Sequence, residues 1–215
     1  GALLAAGAAE AMVAGAATPT RRVIEAGLMT VGPAEGVGTP SSYFLMLMPD
    51  RALIFADCAL VVEPTAGELA DIAVAATRSG RALLGEARTA LLSYSTRGSG
   101  DGAGPRRVRD AVALARARAP ELAGVIDGEL QADAALDAAI AARKGAEGPV
   151  AGAANVLVFP GLDAGNIGYK LVQELGRAQA VGPFLQGFAR PISDLSRGAS
   201  VDDIVAAAVI ALATG

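Results

Sequence analysis

The stretch SSYFLMLMPDRALIFADCALVVEPTAGEL, residues 41–69, decides the fold class. Two short apolar runs, SSYFLMLM (41–48) and ALIFADCALVV (52–62), flank the tight turn PDRA (49–52). Each has the length and apolar density of a strand covered on both faces. Thr65 then stands at an N-cap position, with Glu68 three residues on as its capping-box partner and Gly85 as the stop. Strand, turn, strand, capped helix is the beginning of an α/β chain.

Outward from there the alternation continues. TALLSYS (89–95), AGVID (123–127) and NVLVF (155–159) read as strands. Between and after them, Pro105 is expected at the first position of a helix, GELQADAALDAAIAARKG is expected to be helical as far as Gly145, and NIGYKLVQEL (166–175) forms another helix behind the turn PGLDAG. A final helix starts after Ser200. KGAEGPVAGAA (144–154) reads as a flexible connection. The expected sheet is mostly parallel.

Of 215 residues, 53% are apolar, and alanine supplies much of that share. The core therefore relies on close helix packing. No apolar run reaches the ~18 residues of a membrane span. IVAAAVIALATG (204–215) is too short and reads as a buried helix, and GALLAAGAAEAMVAG (1–15), with Glu10 and no basic residue, does not read as a signal peptide. A net charge of −4 argues against a nucleic-acid partner. The single cysteine, Cys58, excludes an intrachain disulfide, reads as a small buried residue and fits a reducing, cytoplasmic compartment. There is no histidine. Ser-His-Asp and Cys-His catalysis are thereby excluded, and a general base must be a carboxylate, lysine, tyrosine or cysteine.

Four local patterns carry chemistry. The loop after LLSYS places Gly98, Gly100, Gly102 and Gly104 between a strand and a helix, beside Arg97, Arg106, Arg107 and Arg109. That is either an anion cradle or an ordinary flexible loop. DGELQADAALD gathers Asp127, Glu129, Asp133 and Asp137, oxygen ligands of the kind a hard cation takes; solvated carboxylates on a helix face are the commoner reading. LDAGNIGYKL places Asp163 at an N-cap position and Asn166, Tyr169 and Lys170 on the first turns, off the carboxyl end of a strand. In DLSRGASVDDIV (194–205), Ser200-x-x-Asp203 is a helix cap, whereas Ser196, Arg197 and Gly198 form a donor-rich turn suited to a phosphate or an oxyanion. Asp203 then reads either as a cap or as a base beside that turn.

Together DLSRGASVDDIV, NVLVFPGLDAGNIGYKLVQEL, GPFLQGFARPISDLSRG, DGELQADAAL, IFADCA and LLSYSTRGSG resemble the phosphate acetyltransferase (phosphotransacetylase) family, in the family's order and over essentially the whole chain. The resemblance implies interconversion of acetyl-CoA and phosphate with acetyl phosphate and CoA, as in acetate metabolism, with CoA as a substrate and neither a metal nor a tightly bound cofactor. It implies two α/β/α domains around a cleft, commonly in a homodimer. Residues 1–35 and 178–215 would be the remainder of the first domain, and 36–177 the inserted second. A further N-terminal segment is usual in the family, so the first domain is expected to be incomplete. Carried over, the catalytic set falls on Ser196, Arg197 and Asp203, with Asp203 as base for the CoA thiol. Substrate contacts are expected from Arg97, Gly98, Ser99, Gly100, Asn166, Tyr169 and Lys170. Glu25 occupies the place of a family phosphate-holding arginine in AGAATPTRRVIEAGLM (14–29), with Arg21 and Arg22 as the nearby substitutes. Two rival readings remain: a catalytically inactive acetyl-CoA-sensing or assembly module of the type fused to malic enzymes, and a dehydrogenase of the isocitrate type.

Overall fold

A computed structural model describes residues 1–214. Eight strands form one mixed sheet in the order β1-β8-β7-β2-β3-β6-β4-β5. They are β1 (Met12–Gly15), β2 (Ser41–Leu47), β3 (Ala52–Ala56), β4 (Thr89–Leu92), β5 (Ile126–Leu130), β6 (Val156–Val158), β7 (Gln179–Gln186) and β8 (Ile192–Leu195). Pairing is parallel for β1–β8, β3–β6, β6–β4 and β4–β5, and antiparallel for β8–β7, β7–β2 and β2–β3.

The stretch 41–69 folds as a hairpin and a capped helix, but the second strand, expected as far as Val62, ends at Ala56, and the chain from Asp57 on loops into that helix. β2 and β3 form a hairpin through residues 48–51, where Met48 N–H donates to the Arg51 carbonyl at 2.9 Å. Their side chains alternate between two cores. Tyr43, Leu45 and Ile54 face one side, and Phe44, Met46, Leu53 and Phe55 the other. Both sets are buried because helices cover both faces, which is why the runs carry no polar alternation. The first face receives α3 (Ala66–Leu84), α4 (Ala103–Arg118) and α8 (Val201–Ala213), through small residues such as Ala73, Ala76, Ala111, Ala115 and Ala207. The second receives α5 (Ala132–Leu136), α6 (Ala138–Arg143) and α7 (Leu162–Gly176). At the far edge α1 (Ala2–Ala5) and α2 (Thr20–Thr30) close a smaller cluster over β8 through Leu4, Val23 and Ile192.

Thr65 and Glu68 form the expected reciprocal cap, and Gly85 ends α3 with φ +78°. Several boundaries differ from expectation. Residues 128–130 belong to β5, and the following helix is broken in two because Asp137 turns its carboxylate to cap α6, accepting from Ile140 N–H at 2.9 Å. Pro105 is the third residue of α4, not its first, and α7 starts at Leu162 from Gly161, placing Asp163 in the first turn. Residues 123–125, expected to begin a strand, belong instead to a 3-10 turn over Pro120–Val125. β1, β7 and β8 have no counterpart in the sequence reading.

Candidate active site

β8 ends at Leu195, and the chain turns through Ser196, Arg197, Gly198 and Ala199 before entering α8. Ala199 N–H returns to the Ser196 carbonyl at 3.1 Å, and Gly198 N–H donates to Ser196 Oγ at 3.3 Å. Ser200 caps α8: Asp203 N–H donates to its Oγ at 3.2 Å. Asp203 answers through Oδ2, which accepts from Ser200 N–H at 2.9 Å and Ser200 Oγ at 2.8 Å. Its other oxygen, Oδ1, accepts from Gln179 Nε2 at 3.1 Å. These donors, the Ser200 N–H first, hold the Asp203 carboxyl below the usual carboxylate range, with slight burial opposing them. Asp203 is therefore ionised at neutral pH and can accept a proton. The exposed Arg197 makes no ion pair among the described residues.

The turn opens on a cleft of about 430 Å³ whose lining includes Phe44, Tyr169, Lys170, Glu174, Ser196 and Asp203. Phe44 and Tyr169 stack with ring centroids 4.2 Å apart, giving the cleft an aromatic wall. Lys170 Nζ lies 4.5 Å above the Tyr169 ring and 2.6 Å from its hydroxyl. The structure thus brings Ser196 and Asp203, close together in the sequence, into one cleft with Tyr169 and Lys170 from a distant helix.

Asn166, one turn earlier on α7, is used internally: its amide donates to the Cys58 carbonyl at 3.0 Å. Gly165 makes this contact possible, because a Cβ there would run into the Asp57 carbonyl and lie 3.2 Å from Cys58 Sγ. Cys58 itself is buried. Burial first, then the Asp57 charge, push its thiol upward against the pull of Lys170, so it stays protonated and inert.

The glycine-rich loop lies outside that cleft's lining. Arg97 reaches Asp127 with Nη1 at 3.0 Å and Nη2 at 2.6 Å, and Arg116 reaches the same carboxylate at 3.0 Å. Glu129 accepts from Gly98 N–H at 2.8 Å, Ser95 Oγ at 2.8 Å and Arg109 at 3.0 Å. Burial raises the Glu129 pKa, but those three partners together outweigh it and hold the carboxyl low. Gly100 N–H donates to Ser95 Oγ at 2.9 Å, and Ser99 Oγ accepts from Thr96 N–H at 2.9 Å. The N–H groups of Gly98 and Gly100 thus have acceptors within the protein. Of the other acids weighed as cation ligands, Asp133 pairs with Lys144 at 2.7 Å.

β1 lies beside β8, so the entry to α2 sits against the Ser196 turn: Ala16 N–H donates to the Leu195 carbonyl at 2.9 Å. Arg21 and Arg22 both turn to Glu25, at 2.8 and 3.4 Å. Beneath them the fully buried Asp194 accepts the Thr20 hydroxyl through Oδ2, while its Oδ1 has no partner among the described residues. Burial pushes the Asp194 carboxyl upward. Sequence reasoning missed Thr20, Asp194, Gln179 and Phe44. All four enter through strand register and helix placement, for which local spacing carries no signal.

The fold and cleft define an α/β protein with a serine–arginine turn and an ionised carboxylate at one strand–helix corner. The chain belongs to the phosphate acetyl/butaryl transferase family, whose pattern it matches over residues 1–212. It is 52% identical to the phosphate acetyltransferase of Treponema pallidum over 96% of this chain and 64% of that protein. The phosphate acetyltransferase of Paracoccus denitrificans is 51% identical over 95% of this chain and 66% of its own length. The crystal structure of a phosphotransacetylase from Streptococcus pyogenes superposes with a TM-score of 0.93 at 42% identity, covering 98% of this chain and 64% of that one. The chain thus spans about two thirds of the length of these relatives.

Proposed function

We propose that the protein is a phosphate acetyltransferase, interconverting acetyl-CoA and phosphate with acetyl phosphate and CoA. The observation that carries this reading is the corner between β8 and α8: an ionised Asp203 and Ser196 line one cleft, and the exposed Arg197, without an ion pair among the described residues, stands next to Ser196 in the same turn, in a chain about half identical to phosphate acetyltransferases. In the thioester-forming direction Asp203 takes the thiol proton of CoA. The thiolate sulfur bonds to the acetyl carbon of acetyl phosphate, and the carbon–oxygen bond to phosphate breaks. The proton held by Asp203 leaves with the phosphate. Ser196 and Arg197 stabilise the oxyanion and the departing phosphate as positioned donors.

Tyr169 and Lys170 face the cleft as CoA contacts, with Asn166 holding their helix in place. Arg97, Gly98, Ser99 and Gly100 belong to the same proposal as an outer binding loop, supported by the exposure of Arg97 to Ser99. Residues 1–35 and 178–215 form one unit and 36–177 a second. The strand order supports this division, since β1, β8 and β7 are contiguous and meet β2 to β6 at a single antiparallel join. A homodimer would cover the exposed apolar side chains Ile167, Leu171 and Leu175 on α7 and Val201, Val205 and Val209 on α8. The compartment is cytoplasmic, a reading that fits a chain with one cysteine.

The test is release of CoA thiol from acetyl-CoA and phosphate by the protein and by Asp203→Ala. Removal of a general base is expected to cost 10²- to 10⁴-fold in turnover, on the order of what such groups contribute. An unaltered rate in the variant removes Asp203 as base. Tight acetyl-CoA binding by calorimetry without turnover supports the inactive sensing or assembly module instead.

A further inference from the structure

The two oxygens of Asp203 are not equivalent. Oδ2 receives both the N–H and the hydroxyl of Ser200, so its lone pairs are committed to the helix cap. Oδ1 receives a single hydrogen bond, from the side-chain amide of Gln179 at 3.1 Å. Gln179 is the first residue of β7, 24 positions before Asp203 in the chain, and it lines the same cleft as Ser196 and Lys170.

We propose that Gln179 is a positioning residue for the base: its amide holds Oδ1 turned into the cleft and leaves that oxygen one free lone pair for the thiol proton. The inference rests on the acyl-transfer reading above and deepens it. The cap bonds restrain the carboxylate at Oδ2 only, and residual libration about the soft Cβ–Cγ torsion still carries Oδ1 with it. The bond to Gln179 removes that freedom and fixes the direction from which a thiol can deliver its proton. The amide also favours the ionised carboxylate, so its loss makes Asp203 easier to protonate. The charged groups around Asp203 are Lys170 and Glu174 from α7, Arg197 in the preceding turn and Asp202 on its own helix. None of these is altered by a change at residue 179.

The experiment is the pH profile of kcat/KM in the thioester-forming direction, with CoA and acetyl phosphate, for the wild type and for Gln179→Met, which keeps length without a donor. The acid limb is expected to move to higher pH, and kcat to fall about tenfold from lost orientation, with KM for both substrates unchanged. An acid limb in its wild-type place together with a wild-type kcat overturns the inference. Asp203→Ala run alongside separates the two levels. If that variant loses turnover while Gln179→Met matches the wild type, only the role of Gln179 falls. If Asp203→Ala is as active as the wild type, the acyl-transfer mechanism falls and this inference with it.

Discussion

Arg97 lies flat against Asp127, with its two terminal nitrogens 3.0 and 2.6 Å from the two carboxylate oxygens. The arginine that the sequence offers to a ligand is thus also the strut that holds the loop after β4 against β5. Arg97→Ala is expected to lower stability by about 1–2 kcal/mol, because Arg116 still compensates the buried Asp127. Asp127→Ala is expected to cost more, since it removes the hydrogen bonds of both guanidinium groups to this carboxylate at once. Urea unfolding of both variants gives the order.

Ser200 serves the helix and the carboxylate at once. Ser200→Ala should cost about 1 kcal/mol through the lost cap. It also removes a hydroxyl donor that holds the Asp203 pKa low. A depressed folded pKa gives stability that is present above the unfolded pKa and lost as pH falls through the folded one. The difference between Ser200→Ala and the wild type is therefore expected to shrink in acid. Thermal melts from neutral pH down to about 3, below the ordinary carboxylate range, measure it.

Asp194 has the opposite sign. Burial raises its folded pKa, so its contribution to stability is present below the unfolded pKa and is lost as pH rises through the folded value. Asp194→Asn keeps an acceptor for the Thr20 hydroxyl and removes the buried charge. It is expected to be more stable than the wild type at neutral pH, with the gain vanishing in acid. The same pH series of melts decides it: an equal gain at every pH is the result that would count against buried charge as the cause.

Glu25 neutralises Arg21 and Arg22 on the first turns of α2, next to the Ser196 turn. Glu25→Gln is expected to improve affinity for phosphate. Exposed pairs of this kind are worth about 0–1 kcal/mol, so the gain should stay within about fivefold and fade with added salt. Phosphate titration by calorimetry at two ionic strengths measures it.

Several features were legible because their causes are local. The hairpin at 48–51, the Thr65–Glu68 box, the Gly85 stop and the Ser200–Asp203 box all rest on residues within a few positions of each other. The strands β1, β7 and β8 were not legible. AMVAG and QAVGPFLQ are short, small or glycine-interrupted, and become strands through pairing with distant partners. The break at Asp137 was hidden for a related reason: its i, i+4 spacing from Asp133 fits a continuous helix, and only the packing of α5 and α6 decides for a cap.

The candidate site divides the same way. Ser196, Arg197 and Asp203 lie within eight residues, so the chain fixes their proximity through one turn and one capping box. The placement of Tyr169 and Lys170 against them, the hydrogen bond from Gln179 and the diversion of Arg97 to Asp127 depend on sheet order and register. Those are set by burial summed over both faces of the sheet, a quantity no short stretch of sequence contains. The sequence alone determined an α/β chain with a histidine-free, carboxylate-and-arginine chemistry. Tertiary structure decided which of its charged groups face an open cleft and which are spent holding the fold together.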